Sequence, residues 1–159
     1  MSVQYLATWA GGHRYDLDRA EDVVPLLVSI HECHKPVVVT LEARVDACGL
    51  RVTRGLHLGV GHEKRGFAFP YGCPATGYAI QRGVRPWHRD LRFCFDGTPT
   101  PFHPAETRIT PEQVWALALS YTATGRPTEA VDWGRPRPAA SARPRSRPPH
   151  VPSPVAVCA

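Results

Sequence analysis

LHLGVGHEKRGFAFPY, Leu56 to Tyr71, is the stretch on which the fold turns. Leu56, Leu58 and Val60 alternate before the polar GHEKRG, and Phe67, Phe69 and Tyr71 alternate after it. Period-two alternation marks a half-buried strand, and two such runs around a glycine-bounded polar segment predict a β-hairpin with one buried face. Further along, LRFCFD repeats the rule, with Leu91, Phe93 and Phe95 on one side and Arg92, Cys94 and Asp96 on the other. The segment between, Gly72 to Asp90, contains glycine and proline without periodicity and receives no element.

Towards the amino terminus, KPVVVTLE (Lys35 to Glu42) reads as a strand, while Ala43 to Arg54 is ambiguous. VQYLATW, Val3 to Trp9, is a first strand closed by Gly11-Gly12. DRAEDVVPLLVSIHE then spaces Val23, Val24, Leu26, Leu27 and Ile30 for a helix. Pro25 places its start near Asp22, because a proline is tolerated in the first turn and clashes further in.

Towards the carboxy terminus the second helix is the clearest element. Thr110 offers an N-cap hydroxyl, Pro111 stands at the first helical position and Gln113 completes a capping box. Val114, Leu117, Ala118 and Tyr121 form the apolar stripe, and Gly125 with Pro127 ends it. TEAVDW is a short last strand, packed through Val131 and Trp133. The order β, α, several antiparallel β, α, β predicts an α+β fold: one antiparallel sheet with two main helices packed on it.

Charge divides the chain. The net +5 lies beyond the last strand, where residues 134–159 carry five arginines and no Asp or Glu, leaving 14 basic and 14 acidic residues in 1–133. Seven of the 17 prolines lie there too, and so polar a mixture cannot offset the entropy of ordering a chain. We expect one domain over 1–133 and a disordered Arg/Pro-rich tail over 134–159. Overall basicity is thus no argument for a nucleic-acid-binding domain; contact with nucleic acid is left to weak, salt-sensitive attraction by the tail. The start MSVQYLATWAGG lacks a signal-peptide pattern and no apolar run reaches the ~20 residues of a membrane helix, so a cytoplasmic protein without membrane partners is expected. Five cysteines without CxxC spacing suit reduced thiols.

The residues that suggest chemistry have simpler readings. His31, Cys33 and His34 of HECH present at most two ligands to one ion from a helix end, short of a tetrahedral set, so no metal or cofactor is expected. Cys94 reads as a residue on the second face of a strand, GVGHEKRG as a hairpin turn without the P-loop GK[ST], and Glu63 and Asp96 as two surface carboxylates. No nucleophile elbow is present. The expectation is a protein without catalytic residues; the alternatives are nucleic-acid binding through the tail and a small metal-dependent enzyme built on HECH.

LHLGVGHEKRGFAFPYG followed by FHPAETRITPEQVWALALSYTATGRPTEAVDW resembles the Imm1 family of bacterial immunity proteins. The strand ending in LGV, its aromatic partner, Phe102, Pro104 and Ile109, and the helix closing in TGRPT before Asp132-Trp133 carry the resemblance, which spans residues 3–133 in outline. It implies a small cytoplasmic protein that sequesters a cognate polymorphic toxin domain, often nucleic-acid deaminase-like, and so protects the producing cell. No contact residues follow from it. From residue types, the contact surface is expected on Gly72–Asp90, where Tyr78 and Trp87 are interleaved with Arg82, Arg85 and Arg89, with Asp96 and Glu106 steering a basic toxin surface. Trp87 has a competing role, packing that loop onto the sheet.

Overall fold

The computed structural model describes residues 4–44, 54–72 and 77–135. The expected disordered tail, apart from Gly134 and Arg135, and three of the five cysteines lie outside them.

A seven-stranded sheet forms the body, with β1 (Gln4–Trp9), β2 (His13–Leu17), β3 (Val37–Arg44), β4 (Gly55–Val60) and β5 (Phe67–Tyr71) in the order β2-β1-β3-β4-β5. β7 (Leu91–Phe95) joins β3 in parallel at Val37 and carries β8 (Thr98–Phe102) beside it; all other pairings are antiparallel. A two-stranded ribbon pairs β6 (Ala79–Ile80) with β9 (Asp132–Trp133). The α+β architecture is the expected one.

The two helices are built as their local sequences dictate. α1 (Val23–Glu32) starts after a 3-10 turn at Ala20–Asp22, so Pro25 falls in its first turn. α2 (Pro111–Thr124) is capped by the Thr110 hydroxyl, which accepts from Gln113 N at 3.4 Å, and ends at Gly125 with φ 71. The reciprocal half of the capping box comes from elsewhere: the Thr110 N–H donates to Gln81 Oε1, 3.0 Å away. Val23, Leu27 and Ile30 of α1 and Val114, Leu117, Ala118 and Tyr121 of α2 cover one face of the sheet, onto Ala7, Val39, Leu41, Leu56, Leu58 and Ala68. The Tyr5 hydroxyl donates to the Tyr121 carbonyl at 3.2 Å, tying β1 to the last turns of α2.

The central hairpin differs from its sequence reading in one decisive respect. Its register pairs Leu58 with Ala68 and Gly59 with Phe67, so Leu56, Leu58 and Val60 face the helices while Phe67, Phe69 and Tyr71 face away. Both faces are therefore buried. On the second face Phe67, Phe93 and Phe102 assemble with Val38 and Leu91, with Phe67 stacked on Phe102 at 4.2 Å and edge-on to Phe93 at 5.2 Å. Gly59 makes this possible, because a Cβ there would strike the Phe67 ring.

Three strands had no counterpart in the sequence reading. β6 is a two-residue strand inside the unassigned segment, β2 is an edge strand with four of five residues exposed, and β8 is a proline-bearing edge strand that pairs with β7 alone. β8 had a signal: Asp96-Gly97 between alternating segments is a type I′ hairpin turn, and both residues have positive φ, 49 and 80. Phe95 departs from its strand's pattern and is 38% exposed.

Candidate interaction surfaces

The segment 77–90 is pinned at several points. Gly77 N donates to Gly134 O at 2.8 Å and Gly134 N to Tyr78 O at 2.9 Å, extending the β6–β9 ribbon. Gln81 N donates to Arg108 O at 3.0 Å, and Arg108 Nε donates back to Val84 O at 3.1 Å. Tyr78 is half-buried against Phe69 (4.8 Å between rings) and Phe67 (5.8 Å). Trp87 is half-buried too. Arg65 lies over its ring at 5.0 Å, His62 meets it edge-on at 5.7 Å, and its Nε1 is buried without a hydrogen-bond partner. Trp87 therefore packs this segment onto the β4–β5 turn.

Positive charge collects around it. Burial lowers the His62 pKa against the pull of Glu63, and Arg65, Arg89 and His31 add to the depression. Arg65 is lowered by burial and by repulsion from Arg108. Arg82, Arg85 and Arg89 are exposed.

The two expected steering carboxylates stand in different settings. Asp96 is exposed at the tip of the β7–β8 hairpin, where its residue type also serves the turn. Glu106, expected at the surface, is only 9% exposed, and its Oε2 accepts from the His103 N–H at 2.7 Å, closing a local turn with Glu106 N bonded to His103 O. Five residues of strand, roughly 17 Å, separate the hairpin tip from its open end. Tyr78 lies at that open end, 6.5 Å from the Phe102 ring, so the four predicted residues do not form one patch.

Asp96 instead lines a cleft of about 300 Å³ with Trp9, Phe95, Val38 and Thr40. The cleft exists because β1 and β7 share one edge of β3, β1 reaching only to Thr40 and β7 joining at Val37. Beside it Thr40 Oγ1 is 3.1 Å from His57 Nδ1, and His57 stacks on Tyr71 at 4.5 Å with Phe95 edge-on at 5.3 Å. Burial, with the Glu42 carboxylate and Tyr121 adding, pushes the Tyr71 phenol up to about 12. Sequence reasoning missed this surface, since its parts come from β1, β3, β4, β5 and β7.

The HECH residues do not converge. The His31 ring lies edge-on to Trp115 at 5.7 Å and 6.5 Å from His34, and Cys33 Sγ donates to Ser29 O at 3.4 Å. Among the described residues no three His, Cys, Asp or Glu side chains are grouped as metal ligands. Cys94 is half-buried on the helix side of β7, on the face opposite Phe93 as the alternation of its strand requires.

What this arrangement offers is recognition: a rigid aromatic and arginine-bearing segment at one end and an open cleft on a sheet edge. A family model, Immunity protein Imm1, matches residues 11–135. The chain belongs to the Imm1 family. No curated protein and no solved structure matches it. The Imm1 match closes one residue beyond Gly134, where the backbone pairing of the β6–β9 ribbon also ends. No helix among the described residues of this Imm1 chain is long and apolar enough to cross a membrane.

Proposed function

We propose that this chain binds a cognate toxin domain and neutralises it by occlusion, in the cytoplasm of the cell that makes it and without chemistry of its own. The match to the Imm1 family over residues 11–135 carries this reading. The structure supplies suitable means: half-buried and exposed aromatic and arginine side chains held by a rigid scaffold, the composition that anchors protein interfaces. The contact surface is drawn from the outer side of segment 77–90 around Trp87, and the cleft lip at Asp96 is a separate place on the sheet. Tyr78 and Glu106 support the contact surface, Tyr78 by packing against the Phe69 ring and Glu106 by holding the His103 turn. Residues up to Arg135 suffice.

The test is titration of a purified toxin domain from the same locus. Occlusion predicts loss of toxin activity that ends at equimolar ratio and a complex that survives gel filtration. Neutralisation by substoichiometric amounts would show an enzyme instead, and undiminished toxicity with no complex would end the reading.

A further inference from the structure

The domain's balanced charge hides an uneven distribution. Arg65 and His62 meet the Trp87 ring, Arg89 acts electrostatically on His62, Arg108 acts on Arg65 from its bond to the Val84 carbonyl, and Arg85 is exposed two residues before Trp87; the only ion pairs among the described residues are those Arg19 makes with Glu21 and Asp22. Glu63 and Asp90 belong to the same two segments and are exposed, yet neither carboxylate forms an ion pair with these arginines. Of the chain's 14 carboxylate residues only Asp46 falls outside the described residues, and nothing beyond Arg135 is acidic. The cations repel one another: after burial, the Arg108 charge is what disfavours the charge on Arg65. An aromatic ring beneath a guanidinium at 5.0 Å, with further arginines exposed around it, joins the two side-chain types that most often dominate interface energetics.

We propose that this cationic, tryptophan-centred end is the toxin-facing surface and that the toxin presents an acidic, carboxylate-bearing patch to it. The inference rests on the proposed toxin-binding function and deepens it by naming the partner's chemistry. It reverses the expectation of a basic toxin surface met by Asp96 and Glu106, because Glu106 is engaged in its own turn and Asp96 stands alone at a hairpin tip. Carboxylates on the partner relieve the repulsion among the arginines, accept bidentate pairs from them and speed encounter. The geometry suits a protein better than a nucleic acid, since Arg65 and Arg108 are committed to Trp87 and to the Val84 carbonyl and do not form an extended row matching a phosphate backbone.

The experiment measures association and dissociation of the full chain with the toxin domain over a salt series, for wild type, for Arg85→Glu with Arg89→Glu, and for Trp87→Ala. Both arginines are exposed, so the paired variant should keep the wild-type circular dichroism and melt. The expected result is association slowed about tenfold or more at low salt in the paired variant, with a flattened salt dependence, and dissociation about 30-fold faster in Trp87→Ala. An unchanged or faster association by the paired variant, while wild type forms the complex, overturns the acidic-patch inference and leaves the toxin-binding function standing. Absence of any wild-type complex overturns both. A labelled DNA duplex that binds wild type at the same salt, loses affinity in the paired variant and leaves toxin binding untouched assigns the surface to nucleic acid and overturns the inference as well.

Discussion

Replacing Gly59 by alanine should destabilise this protein, although the same change in an unstrained strand usually helps. Restricting the unfolded chain by Gly→Ala stabilises a compatible site by about 0.4–1 kcal/mol. At Gly59 the new Cβ points into the Phe67 ring. That ring cannot retreat, being 1% exposed and fixed by Phe102 stacked at 4.2 Å and Phe93 edge-on at 5.2 Å. Forcing an extra carbon into a packed core costs about 1–3 kcal/mol, or a fall in Tm of roughly 4 °C per kcal/mol for a domain of this size. The assay is urea unfolding of four proteins: wild type, Gly59→Ala, Phe67→Leu and the double variant. Because the collision is with that one side chain, the alanine should cost about 1 kcal/mol or more less in the Phe67→Leu background, a coupling that contacting residues show and distant ones do not. A neutral or stabilising Gly59→Ala, or two costs that simply add, would mean that Phe67 does not lie across from Gly59 and that the sheet has the one-sided register its sequence first suggested.

Glu106→Gln should lower stability by about 1.5–3 kcal/mol, the range for a charged hydrogen bond to a partner such as the His103 N–H, and leave the toxin association rate unchanged; thermal melts and stopped-flow traces check the two halves. His62 has a folded pKa below 6.5, so the unfolded chain takes up its proton first. Stability from this residue is complete above pH 6.5 and declines as pH falls through the lower folded value, and His62→Gln should flatten that decline in urea midpoints measured across the range. Tyr71, with a phenol pushed up to about 12 from 10, should stay protonated well above pH 10 in an ultraviolet titration read against Tyr71→Phe, and stability should fall as pH rises from 10 towards 12, less so in Tyr71→Phe. A chain ending at Arg135 should melt within a couple of degrees of the full chain, whereas one ending at Val131 loses the β9 pairing and the Trp133 Nε1 bond to Thr128 O and should melt measurably lower.

The helices were legible because their signals are local. The Thr110 cap and Pro111, the Gly125 terminus and the spacing of Val114, Leu117, Ala118 and Tyr121 all lie within a few residues of the bonds they make, and Pro25 likewise located the start of α1. The hairpin's two strands were legible for the same reason, as was the end of the ribbon near Trp133. The contact surface was only partly so. Trp87 and the arginines of segment 77–90 stood out by type, but Arg65 and His62 come from the β4–β5 turn and Arg108 from the approach to α2, and only folding brings the first two to the Trp87 ring and the third to the Val84 carbonyl.

By itself, then, the amino-acid sequence determined where elements begin and end, the α+β class and the family resemblance, since capping, turn chemistry and periodicity depend on neighbours along the chain. The tertiary structure alone decided which face each strand presents, that the aromatic set forms a second core, and that cations from distant segments share one end. Those outcomes depend on register and on contacts across the sheet, and in a strand a shift of one residue reverses every side chain while leaving the sequence pattern the same.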